Sequence, residues 1–128
     1  MPKTIILDTN FLLIPGQFHV DIFAELERVC TFPYTVAVLN LTLIELDRLT
    51  TKGSGKDKAA AKLAISLLKT RKIATIKIEK LKNTDLALLE LADANHIVAT
   101  QDRPLKAKIK EKQAMVIILR QEKYLQLV

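Results

Sequence analysis

The sequence predicts an α/β fold, a three-layer α/β/α sandwich around a central, mainly parallel sheet of five strands. Short apolar runs such as KTIIL, VAVL and IVA alternate with segments of helical periodicity. Runs without polar alternation suit parallel strands covered by helices on both faces. A length of 128 residues, about half of them hydrophobic, suffices for one domain with a real core, so residues 1–128 are read as a single unit.

Lys3 to Leu7 reads as the first buried strand. His19 to Cys30 is helical, with Ile22, Phe23, Leu26, Val29 and Cys30 on one stripe. Pro33 interrupts the connection to a second strand, Val36 to Leu39. Leu41 to Leu49 reads as helix, and Lys52 to Lys56 (KGSGK), with two of the three glycines, as the clearest loop. Asp57 to Lys69 is an amphipathic helix that places Ala60, Leu63, Ala64, Leu67 and Leu68 together. Ile73 to Ile78 is a β-branched strand. Asp85 to Ala94 is a helix capped by Asn83 or Thr84, apolar almost all round and therefore expected to be buried. Ile97 to Ala99 is a short strand, Arg103 to Lys112 a polar helix, and Met115 to Leu119 the fifth strand. The tail RQEKYLQLV either finishes the core or joins a homodimer.

A single cysteine, Cys30, cannot form an internal disulfide, which fits a reducing, cytoplasmic setting. No apolar run approaches the length of a membrane span, and the start shows no signal-peptide pattern. The formal net charge of +6 favours acidic partners, nucleic acid first. No G-x-G-x-x-G or P-loop pattern is present, and KGSGK follows a helix rather than a strand, which argues against a nucleotide-binding regulator.

In open parallel sheets, sites lie beyond the carboxyl ends of the strands. Asp8 ends the first strand and Asp102 lies just past IVA, at the same sheet edge. Asp85 opens the helix DLALLELA. Glu45 sits within LTLIELDRL between Ile44 and Leu46, an unusual place for a carboxylate without a partner. Four carboxylates in one poorly hydrated cleft would repel, and would protonate or splay unless a cation balanced them. Oxygen-only ligands suit Mg²⁺ or Mn²⁺, which can polarise a phosphate and generate a hydroxide nucleophile. His19, His96 and Cys30 lie far apart in sequence and offer no rival site.

Each acid also has a plainer reading. Asp8 could cap a helix starting near Phe11; Asp85 suits any helix N-terminus; Asp102 precedes Arg103-Pro104, a helix start; Glu45 could pair with Arg48 or Lys52. The remaining acids, among them Asp21, Glu25 and Asp93, read as ordinary surface charge.

Taken together, IILDTNFLL, LIELDRL, NTDLALLELA and IVATQDRPLKAKI resemble, in order and over nearly the whole chain, the PIN-domain ribonucleases. The last segment looks most like the archaeal and eukaryotic branch involved in ribosomal RNA processing; VapC-type toxins share the fold and the acids. The resemblance implies that Asp8, Glu45, Asp85 and Asp102 bind one or two Mg²⁺ or Mn²⁺ ions and support metal-assisted RNA hydrolysis. It makes Asp8 and Asp102 the central ligands, with Thr9 or Asn10 and Thr100 orienting them. It implies RNA as substrate, with an antitoxin or a ribosome-assembly factor as protein partner. One departure stands out: relatives often carry two adjacent acids where this chain has Thr84-Asp85. The rival is a PIN-like scaffold that binds RNA or protein without cutting.

A nuclease must also hold a polyanion. Arg103, Lys106, Lys108, Lys110 and Lys112 form a basic helix beside Asp102, and Arg48, Lys52, Lys56 and Lys58 cluster around the glycine loop after Glu45. Arg48, Lys52, Lys56, Arg103, Lys106 and Lys110 are the expected RNA contacts. A lysine-rich helix face is also commonly just solvated. Sparse aromatics argue against binding by base stacking.

Overall fold

The computed structural model describes residues 2–79 and 83–128. Strand β1 (Lys3–Leu7) lies inside the sheet. To one side come β2 (Tyr34–Leu39) and β3 (Ala74–Ile76). To the other come β4 (His96–Ala99), β5 (Val116–Arg120) and β6 (Tyr124–Leu127). β1 to β5 pair parallel, and β6 joins β5 antiparallel.

The expected five-strand sheet therefore has six strands. β6 is the tail, so the tail completes the sheet: Leu125 is 1% exposed and joins the core. The turn that feeds β6 puts Gln121 and Glu122 at φ 53 and 56, the left-handed region usually marked by Gly or Asn. Neither marker is present, so the sequence carries no hairpin signal. The outer edge of β6 is closed by α3 (Ile22–Val29). Glu25 accepts the Leu125 N–H at 2.9 Å, and Arg28 donates to the Leu125 carbonyl at 2.8 Å. Arg28 also donates to Glu25 and holds its carboxyl below the usual range. Side chains thus satisfy backbone groups that an open edge strand would expose. Glu25 is structural rather than idle surface charge. So are Asp21, which caps α3 through the Phe23 and Ala24 N–H groups, and Asp93, which engages His96 and the Asn95 N–H.

Helices cover both faces. α1 (Thr9–Leu12), α2 (Ile14–Phe18), α3, α4 (Asn40–Lys52) and α5 (Gly55–Thr70) pack on the side of Ile5, Leu7, Val38, Ile97, Ala99 and Ile117. α6 (Thr84–Leu91) and α7 (Arg103–Glu111) pack on the side of Ile6, Leu39, Val98, Val116 and Ile118. Successive strand residues feed opposite cores, as strand geometry dictates. Where α2 crosses α5, Gly16 lies against Ala60: a Cβ there would lie 2.6 Å from the Ala60 Cα.

Several boundaries and faces differ from expectation. The helix expected from His19 starts at Ile22, because His19, at φ 57, ends α2 and Asp21 caps α3. The KGSGK loop shrinks to Gly53-Ser54. Lys52 still belongs to α4, and Ser54 caps α5 through the Asp57 N–H, drawing Gly55 and Lys56 into helix. α6 is not buried all round: Ala87 and Leu88 are covered, whereas Leu86 is 50% exposed. Ile44 beside Glu45 is likewise outside, at 53%.

Candidate metal centre and nucleic-acid interface

β1 and β4 lie side by side with Leu7 opposite Ala99, so the chain leaves both strands at one sheet edge. From β1 the connection runs to β2 on one side, and β4 flanks the other. The edge between β1 and β4 is thus the switch point where ligands bind in such sheets.

Asp8 follows β1 and is 4% exposed. It is also a helix cap: its Oδ1 accepts the Thr9 N–H at 2.8 Å as α1 begins. The Thr100 hydroxyl donates to its Oδ2 at 2.7 Å. That hydroxyl also lies 3.3 Å from Asn10 Oδ1, but it has one proton, and the shorter contact to a carboxylate is the stronger. As an acceptor, Thr100 Oγ1 takes the Asp102 N–H at 3.0 Å. One buried threonine therefore bridges Asp8 and Asp102. Asn10 braces the same loop, accepting the Gln101 N–H on its side chain and the Gln101 amide on its carbonyl.

Asp102 caps α7 through the Leu105 N–H at 2.9 Å, with proline in the first turn. Glu45, on α4 and half-buried, pairs with neither Arg48 nor Lys52 among the described residues. Its Oε1 instead accepts two hydroxyls, from Thr9 and from Thr84, each at 2.8 Å. Asp85 stands in the first turn of α6, after the Asn83 cap.

The carboxylates feel one another. Burial pushes the Asp8 carboxyl up from the ordinary 3.8 to about 6, against the pull of Thr100 and the Thr9 N–H, with the charges of Asp85 and Glu45 adding to the rise. Burial, then Asp102 and Glu45, pushes Asp85 up as well, opposed by Lys108. They do not close into a ready cage: among the described residues no three Asp, Glu, His or Cys side chains group as a metal-binding set. Asp8 and Glu45 are each held by threonine hydroxyls instead, Asp8 by Thr100 and Glu45 by Thr9 and Thr84. The donor chemistry fits a hard divalent cation. All four donors are carboxylates, and a cation would offset the burial, and the lesser mutual repulsion, that raise Asp8 and Asp85. Cys30 is buried in the core and His96 is engaged by Asp93, so neither competes.

Asp85 lies between two open grooves. One is bordered by Glu45, Arg48, Thr84 and Asp85, with Leu41 and Ile44 on its apolar side. The other is bordered by Asp85, Asp102 and Lys108, with Leu86 and Leu89. A third hollow, beyond Asp102, is lined by Arg103, Lys106 and Arg120. Of the expected RNA contacts, Arg48, Arg103 and Lys106 thus border acid-bearing grooves. Lys52 and Lys56 are exposed around Gly53-Ser54, and Lys110 is exposed further along α7. Lys112 ties to the α6 C-terminus through the Leu89 and Glu90 carbonyls, where the helix dipole favours a cation.

Residues at this edge that the sequence reading did not assign to it are Thr84, Gln101 and Arg120, while Lys108, read there as part of the basic helix, borders the groove with Asp85 and Asp102. Arg120 ends β5 at the same sheet edge, so the rule that selects Asp8 and Asp102 would have selected it. Thr84 carries only a weak signal, a hydroxyl next to a chosen acid.

A family profile described as "PIN like domain" matches residues 5–122. Ribonuclease VapC4 of Methanocaldococcus jannaschii is 32% identical over 127 residues, covering 96% of this chain and 95% of that protein. Among solved structures, the PIN domain endonuclease Utp24 superposes with a TM-score of 0.79 at 19% identity, covering 98% of this chain and 91% of that one. A domain of a functionally unknown M. jannaschii protein superposes with a TM-score of 0.59 at 16% identity, covering 92% and 91%.

Proposed function

The chain belongs to the PIN-like domain family, and from that premise we propose that it is a divalent-metal-dependent endoribonuclease hydrolysing RNA phosphodiester bonds. The observation that carries the reading is the threonine network at the sheet edge. Thr100 joins Asp8 to Asp102, while Thr9 and Thr84 join Glu45 to the helices that follow Asp8 and carry Asp85. Residues from four distant parts of the chain are thereby tied to one rim.

In this reading Asp8, Glu45, Asp85 and Asp102 hold Mg²⁺ or Mn²⁺. A bound ion of this kind supplies Lewis acidity, making water a nucleophile near neutral pH and offsetting charge on the phosphate. The protein's own groups do the rest. Thr100 and the Thr9 N–H fix the Asp8 carboxylate, and the α7 cap fixes one Asp102 oxygen. Arg48, Lys108 and the Arg103–Lys106–Arg120 hollow counter the carboxylate field and draw a polyanion along the rim. Contacts to phosphate position a strand without reading its sequence, so the domain alone has weak sequence preference. Ribosomal RNA processing and toxin-type cleavage call for this same chemistry, with a ribosome-assembly partner in one setting and an antitoxin in the other. Among the described residues no helix is long and apolar enough to cross a membrane.

The test is cleavage of end-labelled RNA with Mn²⁺, comparing wild type with Asp8→Asn and Glu45→Gln. Metal-dependent cutting by wild type alone supports the reading. RNA binding without metal-dependent cutting would favour the scaffold role instead.

A further inference from the structure

Glu45 is held in an unusual way. The Thr9 and Thr84 hydroxyls both donate to the same oxygen, Oε1, at 2.8 Å each. A carboxylate oxygen has two lone-pair directions, so these donors saturate Oε1. Among the described residues no hydrogen bond reaches Oε2. The two donors come from different elements, α1 just after Asp8 and α6 just before Asp85. Glu45, on α4, therefore sits at the meeting point of three helices.

From this geometry, and resting on the metal-centre reading above, we infer that Thr84 is a positioning residue that locks Glu45 so that it binds the cation through Oε2 alone. A valine at 84 would keep the shape and remove the donor. Glu45 would retain only Thr9 and regain rotation about its last torsion, which is intrinsically broad in glutamate. An ion would then have to order that side chain on binding. Removing a comparable orienting partner from a ligand elsewhere weakens metal binding by about 10- to 100-fold.

The plainer alternative is that the Thr84 hydroxyl only fastens the start of α6. That role would change stability in chelator but leave metal affinity alone. Calorimetric titration of the full chain with Mn²⁺ separates the two, using wild type, Thr84→Val, Thr84→Ala and Thr84→Ser, with Asp8→Asn as control. The expected result is a loss of about 10- to 100-fold in Mn²⁺ affinity for Thr84→Val and Thr84→Ala, with folded circular dichroism spectra, and near-wild-type affinity for Thr84→Ser. Should the valine variant not fold, the serine–alanine contrast decides alone. Equal Mn²⁺ affinity in wild type and Thr84→Ala, or a serine variant as weak as alanine, overturns the inference. Wild type binding Mn²⁺ no better than Asp8→Asn overturns the metal-centre reading itself, a distinguishable failure.

Discussion

Replacing Asp8 by Asn should abolish cleavage and, without divalent cations, make the protein more stable. The Asp8 carboxyl is 4% exposed and titrates near 6 instead of 3.8. Such a group binds its proton more tightly folded than unfolded. Below pH 3.8 it is protonated in both states and costs nothing. Between 3.8 and about 6 the folded state holds more protons, so stability falls as pH rises, and above 6 the full penalty applies. At about 1.4 kcal/mol per pH unit, the penalty reaches about 3 kcal/mol. Asn keeps an acceptor for the Thr9 N–H but exchanges a carboxylate for an amide against Thr100, giving back part of the gain. The net expectation is about 1–3 kcal/mol of added stability at pH 7.5 in EDTA. With unfolding entropies near 2.1 cal/mol/K per residue, that is a rise in Tm of about 4–10 °C. Thermal melts of both proteins measure it. The gain should vanish near pH 4, and Mg²⁺ should raise the Tm of wild type but not of Asp8→Asn. An Asp8→Asn protein no more stable than wild type in EDTA at pH 7.5 would refute the reasoning.

Three further outcomes follow from named contacts. Glu25→Ala removes the clasp on β6 and should lower stability by about 1–2 kcal/mol in urea melts; because Arg28 holds the Glu25 carboxyl low, this contribution is present above pH 4.5 and fades as pH falls further, the opposite sign to Asp8. Gly16→Ala should destabilise by about 1–3 kcal/mol despite the better helix propensity of alanine, since its Cβ would meet Ala60 backbone at 2.6 Å and α2 must lift from α5. Arg103→Ala with Lys106→Ala should weaken RNA binding across all sequences and lower the slope of log Kd against log salt by about 1.4, read by fluorescence anisotropy from 50 to 200 mM salt, values chosen on the order of those where such slopes resolve.

The fold was legible because its signals are local and mutually consistent. KTIIL, VAVL and IVA carry no polar alternation, and a helical stripe fills each gap between strands. What escaped was set by partners distant in sequence. β6 needs the hold of Glu25 and Arg28, about a hundred residues away, and its turn uses Gln and Glu where Gly or Asn would have announced it. Ser54 ended the glycine loop early by capping α5. At the sheet edge, the strand-end rule placed Asp8 and Asp102, and an apolar setting singled out Glu45, though Ile44 beside it faces outward. The plainer capping reading of Asp8 and Asp102 is seen directly: one oxygen of each accepts an N–H at a helix start, from Thr9 and from Leu105. The link from Thr84 to Glu45 was not legible: the two lie 39 residues apart, and a threonine at a helix start has a sufficient local reason to be there.

The central claim is that the four acids hold one metal centre. It is tested most directly by anomalous scattering from a crystal soaked in Mn²⁺. The expected result is a peak bounded by Asp8, Glu45, Asp85 and Asp102, with Glu45 contributing Oε2 while Oε1 keeps its two threonines, and no such peak in Asp8→Asn. A soaked crystal with no peak at this edge, or with Mn²⁺ bound only elsewhere, would contradict it.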